Sequence, residues 1–264
     1  MTDATAPKGR LFLVPTPLDH GCGDVLPLAQ TLPQGSIEAA ARLTHWISEN
    51  AKSTRAFLKR VQAVTPLAAA LQAQHISELP REVHKKGDHG PGAARLDAAA
   101  LLAPALAGHD MGLISEAGMP AVADPGSSVV RAAHGLGLRV VPLGGPVSIV
   151  LALAASGLNG QHFAFVGYLP QDAAARAQRV RELEALALKT GQTQLFIETP
   201  YRNAALLQAL VHTLKPGTRL AVASGLTLPQ EHVRSRTVAE WRKQMTAGGE
   251  LQALDAPSLF ALGV

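Results

Sequence analysis

The stretch Leu113-Ile114-Ser115-Glu116-Ala117-Gly118-Met119-Pro120-Ala121-Val122-Ala123-Asp124-Pro125-Gly126 decides how this chain is read. It opens as a compact apolar strand over 111–115 and empties into a loop of small residues with two prolines and two acids. Small side chains let backbone groups come close to a ligand, and prolines leave a loop little entropy to lose on ordering. By composition alone the segment is equally a rigid crossover turn, since Gly and Pro commonly just punctuate structure.

Working outward, short apolar runs alternate with helical stretches. A strand is expected over 11–14, closed by Pro15-Thr16-Pro17, because proline has no donor for a central ladder. Helical composition follows over 36–43, then a strand over 44–48 ending at Glu49. Residues 53–61 carry Phe57, Leu58 and Val61 at helical spacing. Periodicity is poor over 65–91, and 75–92, with two prolines and three glycines, reads as a loop and a candidate acceptor-side lid. An Ala/Leu-rich helix is expected over 96–106, a helix over 129–134 and a strand over 138–143. Gly144-Gly145-Pro146 then opens a helix over 147–155.

The second half continues with strands over 163–168, 194–198, 220–224, 232–238 and 258–262. Helices fall over 173–188, with basic and acidic residues on one side, and over 204–214. This alternation predicts an α/β protein of two α/β domains with mostly parallel sheets. The junction is placed near Gly144-Gly145, giving 1–144 and 145–264. Ligands of such sheets sit outside the carboxyl ends of the strands. The loops there are Pro15-Thr16-Pro17, Glu49-Asn50, 115–124, 144–148 and 199–203, small or polar or proline-rich as a ligand site requires.

Bulk properties set the outer bounds. The 264 residues, 47% hydrophobic and 17% charged, suffice for two cores of ordinary size. A net charge of +4 and a pI of about 9.5 favour an anionic partner by steering without identifying one. Aromatic residues, at 4%, weigh against a surface of stacking platforms for single-stranded nucleic acid. The single Cys22 excludes an intrachain disulfide and a Cys-based structural zinc site. His84 and His89 share a polar loop without supporting ligands, so no metal is expected. Residues 1–9 lack an apolar core, and the longest apolar run, 149–155, falls far short of the ~20 residues that cross a bilayer. A soluble, cytoplasmic protein without membrane attachment is the expectation. No G-x-G-x-x-G follows a strand, and G-x-x-x-x-G-K-[ST], H-E-x-x-H and G-x-S-x-G are missing, which removes the commonest dehydrogenase, NTPase and hydrolase readings.

The central stretch resembles the S-D-A-G-T-P-x-x-x-D-P-G signature of the small-subunit rRNA methyltransferase I branch of the tetrapyrrole methylases. Other landmarks follow in order. Val14-Pro15-Thr16-Pro17 resembles the first-strand motif, Glu49-Asn50 through Thr54-Arg55 the E-D-T-R-H-T-R block, and Pro142-Leu143-Gly144-Gly145-Pro146-Val147-Ser148 the P-L-P-G-P-S turn. Ala155-Ser156-Gly157-Leu158, Gly167-Tyr168-Leu169-Pro170 and Glu198-Thr199-Pro200-Tyr201-Arg202 match later blocks. The likeness spans nearly the whole chain. It departs at Leu18-Asp19-His20-Gly21, at Glu49-Asn50-Ala51-Lys52-Ser53, and at Glu116 and Met119 within the signature. It therefore speaks more directly to fold and cofactor than to acceptor.

What the resemblance implies is an S-adenosylmethionine-dependent methyltransferase, a homodimer that binds its cofactor in the cleft between two α/β domains. The family's cofactor loops fall on Pro15, on Ser115, Glu116, Ala117, Gly118, Met119 and Pro120, on Asp124, on Pro146 and Ser148, and on Thr199 and Pro200. The named branch methylates ribose in rRNA; methylation of a tetrapyrrole or another small metabolite, and cofactor binding without turnover, are the alternatives. A sulfonium methyl is already activated, so the protein mainly aligns donor and nucleophile. A neutral nucleophile must also lose a proton, which a carboxylate can take. Glu116 and Glu198 are the catalytic candidates, with Asp124 and Glu49 beside them, since each lies at a strand end or in the loop after it. Glu116 reads equally as a brace of its own loop, Glu198 as a partner for Arg202, and Asp124 as a residue near a helix N-cap.

Overall fold

The first expected strand forms as β1 (Arg10–Val14) and lies inside a sheet with β2 (His45–Ser48), β3 (His75–Glu78), β4 (Met111–Ile114) and β5 (Arg139–Pro142). The order is β3-β2-β4-β1-β5, and every pairing is parallel. The computed structural model describes residues 7–19, 25–80, 97–246 and 254–264. The chain divides into two compact units, Met1–Val147 and Ser148–Val264.

Both faces of the first sheet are covered, which is why its inner strands β1 and β4 read as nearly continuous apolar runs. Phe12, Val14 and Trp46 pack with α1 (Leu28–Thr31), α2 (Gln34–Arg42) and α3 (Ala51–Gln62) on one face. Leu11, Ile47, Met111 and Leu113 pack on the other with α4 (Ala98–Leu101), α5 (Ala103–Leu106) and α6 (Ser127–Gly135). Gly112 of β4 stands beside Trp46 of β2. A Cβ on it would lie 2.5 Å from Trp46 Cε3, so this strand glycine makes room for a fully buried indole. The indole N–H donates to Gln74 Oε1 at 2.8 Å.

Two expectations in this unit need correction. The helix expected over 96–106 is broken at Leu102 into α4 and α5, with Pro104 at the start of the second; proline has no N–H to donate and cannot continue a helix through itself. Leu96 lies outside the described residues. The loop expected over 75–92 begins instead as the edge strand β3, whose four mostly exposed residues contain one apolar side chain, Ile76, and so offer no period to read. Residues 81–92 of that expected lid lie outside the described residues. At the amino ends of the strands, His45 stacks between His75 and His109 with ring centroids 4.7 and 4.6 Å apart. Burial and these two neighbours push the His45 pKa down.

The second unit runs α7 (Ser148–Ser156), β6 (Phe163–Tyr168), α8 (Ala173–Thr190), β7 (Thr193–Glu198), α9 (Asn203–Thr213), β8 (Arg219–Ser224), β9 (His232–Thr237), α10 (Val238–Thr246) and β10 (Ser258–Gly263). Its sheet has the order β6-β7-β10-β8-β9. Only β6 and β7 run parallel; β10 opposes both its neighbours, and β9 opposes β8. The mostly parallel sheet expected of this half is therefore wrong. Residues 225–231 between β8 and β9 are too few to hold a crossover helix, and the last strand enters between two others against their direction.

Helices α8, α9 and α10 enclose a core around Phe196, Phe260 and Trp241, the two phenylalanines stacking at 5.9 Å. The charges of α8 are not all on its solvent side. Glu184 is buried, accepting from Lys215 N at 2.8 Å and from the Thr218 hydroxyl. Among the described residues no helix is long and apolar enough to cross a membrane.

Candidate functional site

The carboxyl edge of the parallel sheet gathers the loops that the sequence marks. Thr16, just after β1, and Gly118, in the loop after β4, exchange two backbone hydrogen bonds, of 2.9 and 3.1 Å. Thr16 Oγ1 also donates to Ser115 O at 3.4 Å. The turn after β5 closes on the same edge: a Cβ on Gly145 would lie 2.3 Å from Pro15 Cγ, and one on Gly118 would meet Pro146 O at 3.8 Å. Pro15, the 115–120 loop and Pro146 are thus brought together. The loop after β4 holds four residues at positive φ, namely Gly118 (+79°), Ala121 (+64°), Ala123 (+64°) and Gly126 (+128°). A left-handed alanine costs roughly 1 kcal/mol, so two of them mark a conformation that its surroundings impose.

Three carboxylates meet behind this loop. The backbone N–H of Glu116 donates to Glu49 Oε2 at 3.2 Å, tying the ends of β2 and β4 together. Asp124, half-buried, has its pKa pushed up to about 7 by burial first and then by the negative charges of Glu49 and Glu116. The nearby Ser115 hydroxyl opposes that rise. Ser115 is only 5% exposed, and its Oγ has no hydrogen bond of ordinary geometry among the described residues.

In front of Ser115 and Glu116 lies a cavity of about 470 Å³, within the usual range of small-molecule sites. The β1 loop gives it Thr16 and Asp19. Helix α3 gives it Ser53, Ala56, Phe57 and Arg60, whose spacing places them on one helical stripe. Arg60 pairs with Asp19, and Lys52 stands exposed beside Ser53. The amino end of α3 is already closed: Asn50 Oδ1 accepts from Lys52 N at 2.9 Å and Ser53 N at 3.4 Å, and Glu78 Oε1 accepts from Ala51 N at 2.6 Å. Of the site residues expected in this unit, Ser115 and Glu116 line the cavity. The α3 stripe and the Asp19–Arg60 pair escape the sequence reading, which takes 53–61 only as a source of core residues. Its 3.6-residue period holds the missing signal.

Ser148, Glu198, Thr199 and Pro200 belong to the second unit, where Ser148 opens α7 and Glu198 ends β7. Glu198 is buried, and its Oε1 accepts from Arg202 Nη2 at 2.7 Å, Arg202 Nε at 3.1 Å and Thr199 N at 2.8 Å. That set of bonds fixes the turn carrying Thr199 and Pro200. Arg202→Ala leaves this carboxylate buried without its cation. The expected cost is about 2 kcal/mol in urea unfolding, since Arg202 is 27% exposed and water can reach the freed group; an unchanged midpoint would show the brace to be dispensable. Among the described residues no group of three or more His, Cys, Asp or Glu could hold a metal ion.

An α/β pair of this kind, with proline- and glycine-bearing loops meeting at the carboxyl edge of its parallel sheet, has the fold of a two-domain methyltransferase. It is similar over 97% of its length to the methyltransferase CobJ (TM-score 0.53, 14% identity, 94% of that chain). It is also similar to a uroporphyrin-III-C-methyltransferase from Thermus thermophilus (TM-score 0.50, 19% identity, 94% of that chain). The chain belongs to the tetrapyrrole (corrin/porphyrin) methylase family, whose model matches residues 51–241. Its relatives include the ribosomal RNA small subunit methyltransferases I of Pseudomonas aeruginosa, 32% identical over 88% of this chain and 71% of that one, and of Vibrio cholerae, 30% identical over 91% and 74%. The protein is a methyltransferase.

Proposed function

We propose that this methyltransferase moves the methyl group of S-adenosylmethionine to a ribose 2′-hydroxyl of small-subunit rRNA. The observation that carries the reading is relatedness to the rRNA methyltransferases I over about nine-tenths of the chain. The net charge of +4 suits a polyanionic acceptor. In this reading the cofactor is held by Pro15, the loop from Ser115 to Pro120, Asp124 and Pro146, with Ser148, Thr199 and Pro200 from the second unit. Residues 1–144 and 145–264 act as the two domains of a cytoplasmic homodimer.

The residues present suit such a ligand. Its sulfonium and ammonium groups are cationic, and Glu49, Glu116 and Asp124 are the acids gathered at this edge. The buried Ser115 hydroxyl is open to a further hydrogen bond. When bound, the cofactor supplies an activated methyl group for in-line displacement. The chain's own task is to orient the acceptor and shed water. Glu116, at the exposed cavity wall, faces where an acceptor enters; Glu198 serves to hold the Thr199-Pro200 turn.

Calorimetric titration with S-adenosylmethionine, followed by labelled methyl transfer to undermodified small ribosomal subunits, tests the reading. Micromolar binding with label in the small-subunit rRNA is expected. Binding without RNA label would redirect the search to small acceptors, and no binding would overturn the assignment.

A further inference from the structure

We infer that Lys52, Arg55 and Lys59, the exposed cations of α3, form the track for the RNA phosphates that flank the target ribose, and that Lys52 marks where this track meets the cavity. The inference rests on the methyl-transfer reading above. Helix α3 has three faces. Phe57, Leu58 and Val61 are buried in the core, while Ser53, Ala56 and Arg60 line the cavity. Lys52, Arg55 and Lys59, at positions i, i+3 and i+7, fall on one exposed stripe. That stripe borders the cavity face, because Lys52 belongs to both. From Lys52 to Lys59 it runs about 10 Å along the helix axis.

The fold has no evident use for these charges. Among the described residues none of the three side chains makes an ion pair or a hydrogen bond. Two acids there do touch α3, but both are engaged: Asp19 pairs with Arg60, and Glu78 accepts from Ala51 N at 2.6 Å. No acid interrupts α3 itself, and like charges three or four residues apart repel on a helix. Lys52 also lies in the first turn, where the helix dipole disfavours a cation. The arrangement works against the helix and calls for an anion from outside. That anion is a phosphate chain. The other exposed positions of α3 are Ala56 and Gln62, so the stripe offers no large apolar side chain for a protein interface to bury. Phosphate contacts, in contrast, are made by Lys and Arg. The support is firm: Asn50 caps the helix, and Thr54 Oγ1 shares a hydrogen bond with Ser48 Oγ and donates to Asn50 O. A backbone lying on this stripe presents its ribose to the cavity beside it.

The test is the kinetics of methyl transfer to undermodified small subunits at several salt concentrations, for the wild type and for Arg55→Gln with Lys59→Gln. Lys52 is left in place because it also lines the cavity. The double variant should raise KM about 10-fold, a few-fold for each exposed cation lost. Its kcat and its calorimetric affinity for S-adenosylmethionine should stay within about twofold of the wild type. The dependence of log KM on log salt should become shallower by roughly 0.7 for each lost contact to single-stranded RNA. Arg181→Gln with Lys189→Gln removes as much charge from the exposed surface of α8 and should leave KM unchanged. An equal rise in that control reduces the effect to net charge and overturns the track. An unaltered KM and salt dependence in the α3 variant assigns the stripe to another anion, such as an acidic protein surface, and overturns it as well. Should the wild type itself fail to label rRNA, the acceptor reading falls, and binding of a short single-stranded oligouridine, read by fluorescence anisotropy, then decides the track. Binding about 10-fold weaker in the α3 variant supports it; equal binding overturns it.

Discussion

Asp124→Asn is expected to make the protein more resistant to urea at about pH 8 and to leave it unchanged near pH 4. Asp124 ionises at about 7 in the fold, against 3.8 for an ordinary aspartate. An acid whose pKa is raised by folding holds its proton more tightly in the folded state. Its contribution to stability is complete below about pH 4 and is lost as pH climbs through about 7. About three pKa units correspond to roughly 3–4 kcal/mol. Asparagine has the same shape without the charge, so it should recover most of that amount above pH 7 and nothing at the acid end. The cause lies in burial first and in Glu49 and Glu116 second; Glu49→Gln should therefore recover a smaller share with the same pH dependence. Equal urea midpoints for Asp124→Asn and the wild type across the whole range would mean that the fold does not penalise this carboxylate.

Much of this architecture is legible in the sequence, and what is not has identifiable causes. Strands such as β4 and β6 announce themselves because each is a short apolar run bounded by turn residues. Helix α8 does so because its length and composition leave few alternatives. Direction is a different matter. The order of elements says nothing of which way β10 runs, and that strand together with the β8–β9 hairpin turns an expected parallel sheet into a mainly antiparallel one. Edge strands carry weak patterns, so β3 hides inside a polar segment.

The site divides along the same line. Its loops are visible as Gly, Pro and small residues after strands, and the proximity of Pro15, Gly118 and Pro146 follows once the parallel order is known. Pairings that depend on three-dimensional register are not visible. Glu116 N–H on Glu49 and Arg60 on Asp19 each join residues whose spacing obeys no local period. Nor does a sequence separate a buried charge from a solvated one: Glu184 sits inside α8's packing face only because Lys215 N and the Thr218 hydroxyl are there to receive it.

Gly112 and Trp46 provide the sharpest test of how the strand ends that carry the site are set. Trp46→Ala should cost about 3–5 kcal/mol, because a fully buried indole leaves a void that the close-packed sheet face cannot collapse into, and Gln74 Oε1 loses its donor. Gly112→Ala should cost about 2 kcal/mol for the opposite reason. Its new Cβ falls 2.5 Å from two ring carbons of Trp46, a fully buried indole, and 3.2 Å from Leu43 Cδ1, so neighbouring core side chains must shift to admit it. The two penalties have one origin, and they should not add. In Trp46→Leu with Gly112→Ala, the smaller side chain vacates the space that the added methyl occupies. The double variant is then expected to be at least 1 kcal/mol more stable than the sum of its single changes, about the coupling seen for contacting core residues. Additive costs in a denaturant cycle would show that β2 and β4 are held apart by something other than this contact. The separation matters because Ser48 and Ile114, paired two residues further along the same strands, lead directly into Glu49 and Ser115. A shift that opens the strands at Gly112 should therefore lengthen the Glu116 N–H to Glu49 bond. It should loosen the acidic cluster and weaken cofactor affinity even where the fold survives.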